Sequence, residues 1–549
     1  MKGDFSRVSF DPRHHFSQVL LQQGRVTLDA DPNEQGAILL HYLRTMARDL
    51  FGPYGAPADN AGFGLEFTDG EDGPSLRIGA GRCYVQGVLC ECEGCDYSEQ
   101  PHFLPAPAGD AADSGDPLRR WLASRNRDDR RFWIYLDVWE RHVTALEMPH
   151  LREEALGGPD TCSRMQVVWQ VRALELDRIT AQLKALLAAL TQRRDAAVEP
   201  RERARLQARM DAVSEAMERL GQQDYVQACA APLPLFERDP LPRLAASLDP
   251  GERLDDPCVT SPDSAYRGAE NHLYRVEIHR GSEDGGQATF KWARDNGSVA
   301  AAWLSASGTR LEVAGARGFS AGQWIELSDE RDDLAGRPGL LFRIASVEAD
   351  GLVVDGTPSW DPDAVRPRVR RWDQVSRGDV QLLDGTVPVV EGTASDPGWI
   401  ALEDGIRVRF APDGDYRSGD YWLIPARVAS GGIHWPAGDD GEALLQPPRG
   451  ISHHYAPLGF VGRAANGEGV DVLQACACLV YPLSTCGVLA RRDQAAPQSP
   501  GVAGRSDAAA SGIVTPVAAA ATSAATGATP AATATGRSRR KRRADTPQK

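Results

Sequence analysis

Apolar and polar residues alternate in short runs along most of the chain, with the two-residue period of β-strands. The run Phe132 to Trp139 is aromatic and β-branched and predicts a central strand, and Gln166 to Val171 predicts another. Alternation resumes near Tyr266 and continues through Leu273 to His279. Short strands then follow at close spacing between residues 302 and 385, which is typical of a small barrel or sandwich. The pattern therefore predicts a mainly β protein made of several small β-sandwich or barrel modules.

An amphipathic helix is predicted near the N-terminus, from Asn33 to Phe51. Asp31 is a suitable N-cap, Pro32 suits the first helical position, and Glu34 completes a capping box. Gly52-Pro53 ends the helix. The apolar residues at helical spacing are Ile38, Leu39, Tyr42, Leu43, Met46 and Leu50. Such a helix must dock either on the following β domain or on another subunit. Before it, residues 18–31 predict a short strand, a Gln-Gln-Gly turn and a second alternating stretch.

Two further helical stripes interrupt the β pattern between residues 172 and 222, on either side of Glu199-Pro200. Their apolar positions are Ile179, Leu183, Leu186 and Leu190, then Leu206, Met210, Val213, Met217 and Leu220. This spacing predicts an inserted antiparallel helical hairpin with arms of about 20 residues, hence about 30 Å long. Two stripes that face each other favour a self-contained spur. A docking arm for a partner subunit is the alternative.

Changes in pattern divide the chain into seven segments. They are an N-terminal attachment segment with its helix (1–60), the first part of a β domain (61–171), the hairpin (172–222), the continuation of the β domain (223–301), the small barrel or sandwich (302–385), a C-terminal β region (386–490) and an Ala/Thr-rich tail (491–549). The tail contains no aromatic residue. It cannot bury enough apolar area to offset its ordering entropy, so it is predicted to be disordered.

The formal net charge of −15 argues against a duplex-DNA footprint, which requires clustered basic residues on one face. The basic cluster Arg537 to Arg543 lies in the tail, where a solvated end is favoured and a phosphate- or partner-contacting patch is the alternative. The most apolar windows, such as Leu183 to Leu190, are shorter than the ~20 residues of a membrane span. Charged residues, Asp4 and Arg7 among them, interrupt any signal peptide. We therefore expect cytoplasmic synthesis, no membrane insertion and no nucleic-acid partner.

The ten cysteines include two loose groups. The first is Cys90, Cys92 and Cys95, and the second is Cys476, Cys478 and Cys486. Each group supplies only half of the ligand pattern of a structural zinc site. Reduced thiols are the expected state in a cytosolic protein. A zinc site shared by the two groups, or a disulfide that forms late, is the alternative.

No catalytic motif is predicted: the sequence contains no GxxxxGK[ST] and no HExxH, and no GxSxG nucleophile elbow, which would join a strand to a helix. Asp137 and Glu140 suggest a glycosidase pair, but residues three apart on a strand point to opposite faces. Nine tryptophans are spread through the β regions: Trp133, Trp139, Trp169, Trp292, Trp324, Trp372, Trp399, Trp422 and Trp435. Exposed, they could line a sugar-binding groove, but their apolar neighbours favour burial.

Histidines and aromatic residues cluster in His453-His454-Tyr455 and His434-Trp435. A metal site there would need a third ligand, such as Asp420 or Cys478. Neighbouring strand residues point apart, so only one of His453 and His454 can face a given site. A buried, hydrogen-bonded histidine is favoured. The sequence therefore predicts no cofactor and no metal, with Cys90, Cys92, Cys95, Cys476, Cys478 and His453 as weak metal-site candidates.

The opening MKGDFSRVSFDPRHHFSQVLLQQGRVTLDADPNEQ resembles a bacterial family whose members start with Met-Lys-Gly-Asp-Phe-Ser/Thr-Arg and carry a QQGRVxLDADxNEQ block. The likeness continues in YLDVWERHVTALE, LGGPDTCSRMQVVWQV, GAENHLYRVEIH, FKWARDNGSV, GDYWLIPAR and PPRGISHHYAPLGFV. It extends from Met1 to about residue 487, except for the hairpin, which is interpreted as a variable insertion. This chain has Pro32 where members commonly have Trp.

The resemblance implies a structural, non-catalytic component of a phage-tail-like contractile injection particle, associated with its baseplate or fibre. The implied partners are other particle subunits, a homo-oligomer is left open, and the implied destination is a released extracellular particle. The predicted partner-binding residues are Phe5, Arg7, Phe10, Tyr42 and Met46. A β protein that binds a glycan or another ligand is the first alternative, and a hydrolase or lyase acting on carbohydrate is the second.

Overall fold

The longest strands form a four-stranded antiparallel sheet, here called the central sheet. Its strands, in order, are β24 (Val470–Ala475), β23 (His454–Arg463), β7 (Arg131–Val143) and β8 (Arg164–Glu175). The computed structural model describes residues 1–70, 73–103, 116–124, 127–222, 224–249, 265–282, 286–378, 380–393, 396–464 and 469–481. Residues 132–139 of β7 are all buried because both faces of this strand are covered. This confirms the predicted central strand.

Two smaller sheets pack on one face of the central sheet. The first contains β2 (Leu65–Gly70), β3 (Gly73–Ile78) and β6 (Cys95–Asp96). The second contains β25 (Leu479–Val480), β1 (Tyr54–Pro57), β4 (Gly81–Val85) and β5 (Val88–Cys92). Alternate residues of β7, Phe132, Ile134, Leu136 and Val138, share one core with these sheets and with α2 (Pro117–Ala123).

The helical hairpin covers the opposite face. It consists of α3 (Leu176–Ala196) and α4 (Pro200–Gly221), followed by the short helix α5 (Tyr225–Ala228) and a 3-10 turn at Leu233–Phe236. We call residues 176–236 the helical cap. The hairpin itself is confirmed, but the expectation of a self-contained spur is wrong. Its apolar stripes share a core with Trp133 and Phe460 of the central sheet, because that face of β7 would otherwise expose aromatic rings.

A second pair of sheets contains the middle and later parts of the chain. One has the order β18 (Val387–Pro388), β11 (Thr289–Ala293), β10 (His272–Arg280), β21 (Tyr421–Arg427) and β22 (Gly432–Ile433). The other has the order β19 (Ile400–Ala401), β20 (Ile406–Phe410) and β9 (Leu244–Leu248). Strands between residues 386 and 490 thus pair with strands from much earlier in the chain.

The predicted small barrel is confirmed. Its six strands close in the order β12 (Ala300–Ser307), β13 (Arg310–Val313), β16 (Gly351–Val354), β15 (Leu340–Val347), β14 (Trp324–Ser328) and β17 (Arg368–Trp372). The helix α6 (Glu330–Ala335) starts with a complete capping box from Asp329 and Asp332. The tail from residue 491, predicted to be disordered and to end in a basic cluster, lies outside the described residues.

The N-terminal helix α1 spans Ala30–Phe51 and ends at Gly52, as predicted. Its predicted start is wrong. Asp29, and not Asp31, occupies the N-cap position, and the Asp31 carboxylate instead accepts a hydrogen bond from the Leu28 backbone N–H at 3.0 Å. The predicted strands between residues 18 and 31 are also wrong, because no strand in the described ranges pairs with them. Only the turn at Gln23 and Gly24 forms.

Candidate functional site

Most of the large apolar side chains of α1 are exposed. Six of them are each 48–65% exposed: Leu39, Leu40, Tyr42, Leu43, Met46 and Leu50. Within the helix, only Ala30 and Ile38 are buried. A surface helix of a globular protein normally turns its apolar stripe towards the core. This helix does the reverse, so we call its exposed apolar side the outer face.

Polar contacts hold the inner side of α1 in place. Arg44 forms a two-pronged ion pair with Glu140 of β7, with both nitrogen–oxygen distances 2.8 Å. The Ser9 hydroxyl donates a hydrogen bond to Glu34 at 2.6 Å. Gly87, with φ of +79°, lies so close to the helix that a Cβ there would be 2.2 Å from the Arg44 carbonyl oxygen. These contacts fix the rotation of the helix, so its outer face stays outward.

The segment before α1 adds to the outer face. Its exposed apolar side chains are Phe16, Leu20, Leu21, Val26 and Leu28. The Val19 backbone N–H donates a hydrogen bond to the Gln35 side chain at 2.8 Å, so this segment lies beside the start of the helix. The eleven apolar side chains of the segment and the outer face are together called the N-terminal apolar surface. Exposure of this many large apolar groups marks a site of interaction.

The five predicted partner-binding residues do not lie together. Tyr42 and Met46 are on the outer face. The Phe10 ring packs on His41, with ring centroids 5.8 Å apart. Phe5 packs against the buried cluster of Leu273, Tyr421 and Leu423, and Phe5 and Arg7 both line a cavity of about 320 Å³. Hydrophobic periodicity found the helical residues, whereas nothing local in the sequence indicated that Phe5 packs against the β body.

A buried cluster of charges, here called the charge cluster, joins the N-terminal residues to two sheets. Its members are Lys2, Arg275, Glu277, Lys291 and Glu326. Lys2 Nζ lies 3.0 Å from Glu277, Arg275 Nε lies 2.5 Å from it, and Lys291 Nζ lies 3.3 Å from it. Lys291 also pairs with Glu326, which accepts a hydrogen bond from the Trp372 indole at 2.9 Å. The cations hold the pKa of the buried carboxyl of Glu277 well below its usual range.

Main-chain contacts insert the first residues into this cluster. Arg275 donates a hydrogen bond to the Met1 carbonyl at 2.7 Å, and the Asn296 side chain donates one to the Gly3 carbonyl at 2.9 Å. The N-terminal segment therefore has two parts. Residues 1–5 are integral to the β body, and the N-terminal apolar surface follows them.

Two histidines close to the charge cluster predict sensitivity to acid. Burial lowers the pKa of His142 and of His279 to about 3, and nearby positive charges reinforce the effect. The usual pKa in an unfolded chain is about 6.5. Below that pH the unfolded state binds protons that the folded state excludes. The stability that these two neutral histidines contribute is therefore fully present above about pH 6.5 and is lost progressively as the pH falls towards 3.

For His279 alone, the expected loss between about pH 6.5 and pH 5 is about 2 kcal/mol. Urea unfolding at a series of pH values measures it. His279→Gln should reduce the pH dependence by about one proton, and the matched replacement of the exposed His150, His150→Gln, should not change it. Equal wild-type stability at pH 7 and pH 5 would contradict the prediction.

The cysteine groups are not brought together as a zinc site. Cys476 forms a disulfide with Cys229, which belongs to neither group, and this bond ties the helical cap to the central sheet. The expectation of reduced thiols is therefore wrong for these two residues. Cys90 and Cys92 of β5 and Cys95 of β6 remain free thiols, and Cys478 is free and exposed. Cys486 lies outside the described residues.

His453 is not part of a metal centre within the described ranges, where no three His, Cys, Asp or Glu residues are grouped to hold an ion. Its Nδ1 lies 2.7 Å from an oxygen of Asp137, and its ring stacks on Trp139. Asp137 and Glu140 face opposite sides of β7, as the spacing predicts. Asp137 lies beside His453, whereas Glu140 is bound by Arg44 on the other side. Six of the nine tryptophans are buried, and Trp324, Trp399 and Trp435 are half-buried.

No helix among the described residues combines the length and apolar character needed to cross a bilayer. No curated protein matches the chain. One solved structure that matches is the crystal structure of TssK, at 9% identity and a TM-score of 0.15, with 65% of this chain and 96% of that chain covered. This TM-score is too low to support an argument about fold or function. The model of a family of unknown function, DUF6519, matches residues 1–548, and the chain belongs to that family.

Proposed function

We propose that the protein is a structural, non-catalytic subunit of a phage-tail-like contractile injection particle, attached through its N-terminal apolar surface. The outward orientation of α1 carries the proposal. A helix fixed with six large apolar side chains about half exposed is unfavourable for an isolated protein, since each would gain about 1 kcal/mol on being covered, roughly half of the value for full burial. A permanent partner would supply that burial. In this proposal the subunit is made in the cytoplasm and carried in the released particle.

The spacing on the outer face indicates the chemistry of the partner. Leu39, Leu43, Met46 and Leu50 are separated by four, three and four residues. This is the spacing of a coiled-coil seam, in which each apolar side chain enters a gap between side chains of a facing helix. Tyr42 and Leu40 flank the seam and widen it. The occupant that we propose is therefore an amphipathic helix of another particle subunit.

Replacing two seam residues tests this proposal. L43Q/M46Q should leave the free energy of unfolding within about 0.5 kcal/mol of the wild type, because both side chains are exposed. The same variant should fail to co-purify with particles assembled from the native operon. The matched control is L304Q/L340Q, which replaces two exposed leucines of the barrel and should assemble normally.

Normal incorporation of L43Q/M46Q would contradict the attachment role. So would an equal defect in L304Q/L340Q. Light scattering on the purified protein separates a second copy from another subunit as occupant. A dimer that L43Q/M46Q dissociates, with particle incorporation intact, would replace the proposed partner by a second copy of this chain.

A further inference from the structure

The cover on one face of the central sheet has two parts, one at each end. At one end Tyr135 packs against Phe236 of the helical cap, with ring centroids 5.1 Å apart. At the other end Trp139 shares a small buried cluster with Leu334 of α6. A cleft of about 480 Å³ lies between the two, within the size range of small-molecule sites. Asp137, at the centre of β7, forms part of its lining.

A row of aromatic rings forms one wall of this cleft. His453 stacks on the buried Trp139, with centroids 4.7 Å apart. The planes of His453 and Tyr455 are within 17° of parallel, and Tyr455 stacks on Phe236 at 4.1 Å. The His453 side chain is 33% exposed. Rigid, partly exposed rings of this kind provide contact area at a small cost in conformational entropy.

The charges in the lining balance one another. They are three arginines, Arg172, Arg238 and Arg417, and three aspartates, Asp137, Asp333 and Asp420. Arg238 grips Asp420 with two hydrogen bonds of 2.9 and 2.7 Å, and Asp137 is held by His453. A cleft without excess positive charge does not favour phosphates, and one lined by six ionised groups does not favour hydrocarbon.

Two polar atoms next to the ring wall are not engaged by the protein. Nδ1 of His453 is directed at Asp137, which leaves Nε2 without a hydrogen-bond partner among the described residues. The Tyr455 hydroxyl also has none in that part of the chain, and burial raises its pKa, so it stays a neutral donor. Orientation of the histidine by a buried carboxylate fixes the position of Nε2 before any ligand arrives.

We infer that this cleft binds a neutral saccharide. A pyranose ring has a flat face of C–H groups that packs on aromatic rings, and hydroxyl groups that both donate and accept hydrogen bonds. His453 and Tyr455 offer the ring wall together with two polar atoms, Nε2 of His453 and the Tyr455 hydroxyl. The paired arginines and aspartates surround them with fixed polar groups at no net charge. The inference is independent of the N-terminal apolar surface, which lies on a different element.

Saturation-transfer NMR on the full-length protein tests this inference, with maltotriose and N,N′,N″-triacetylchitotriose as probes. At least one should bind, and His453→Ala should weaken binding by about tenfold, since it removes the ring contact and the Nε2 hydrogen bond together. Tyr455→Phe should weaken it by a smaller factor, because it removes the hydroxyl alone. The matched control is His434→Ala, an exposed histidine outside the cleft, which should bind as the wild type does.

Three results would overturn the inference. The first is that neither saccharide binds. The second is that binding survives both His453→Ala and Tyr455→Phe unchanged. The third is displacement of the saccharide by an equal concentration of inorganic phosphate, which would mark an anion site. Near-ultraviolet circular dichroism shows whether His453→Ala is folded, and Tyr455→Phe serves as the decisive variant where it is not.

Discussion

Glu277→Gln should destabilise the folded protein by about 3–5 kcal/mol, the usual cost of breaking a buried ion pair by removing one partner. The substitution keeps the size of the side chain but removes its charge. Lys2, Arg275 and Lys291 all lie within 3.3 Å of the Glu277 carboxylate. Without it Lys291 keeps its ion pair with Glu326, whereas Lys2 and Arg275 lose the carboxylate with which they pair. Chemical unfolding of the full-length variant measures the loss.

An exposed ion pair provides the control. Glu348 pairs with Arg310 on the barrel surface at 2.8 Å, and Glu348→Gln should change stability by less than about 1 kcal/mol. Adding Lys2→Met to Glu277→Gln should recover part of the loss, because it removes one of the stranded cations. Additive effects of Lys2→Met and Glu277→Gln would show that the two side chains do not interact, contrary to the proposed role of the cluster.

Local periodicity predicted the elements of this fold well. The strand β7, the barrel and the helical hairpin each follow from a repeat of two or of 3.6 residues within a short window. The same reasoning failed at the start of α1, where Asp29 occupies the N-cap position without a side-chain cap hydrogen bond, and its carboxylate instead accepts a hydrogen bond from the Ser6 backbone N–H at 2.9 Å. It also left open whether α1 docks on the β domain or on another subunit. Periodicity defines an apolar face but not the direction in which the face points.

The features that join distant segments could not be predicted from the sequence. The charge cluster combines residue 2 with residues 275, 277, 291 and 326. In the sequence, each of the last four is an ordinary polar position within a strand. The cleft forms where Asp137 of β7 faces His453 at the start of β23, 316 positions later. Cys229 stands alone in the sequence, so nothing indicated that it would pair with Cys476.

The two parts of the N-terminal segment explain why point variants test attachment better than truncation. Residues 1–5 complete the charge cluster, so their deletion would remove one of the three cations around Glu277 and the Gly3 carbonyl that accepts a hydrogen bond from Asn296. A chain without them would lose stability whether or not α1 binds a partner. Substitutions on the outer face touch neither the charge cluster nor the Arg44–Glu140 ion pair. A loss of incorporation in those variants therefore reports on the partner interface alone.

Loss of the Cys229–Cys476 disulfide should cost about 2–5 kcal/mol. The bond joins residues 247 positions apart, so it restricts the unfolded chain over a very long loop, and it fastens the helical cap over Trp133. Unfolding of the wild type should shift to lower denaturant on adding dithiothreitol, whereas Cys229→Ser should unfold at that lower concentration with or without the reductant. The exposed free Cys162 supplies the matched control, and Cys162→Ser should behave as the wild type.

Alkylation of the unreduced, denatured wild type should label two fewer thiols than after reduction. Equal labelling before and after reduction would show that the bond does not form.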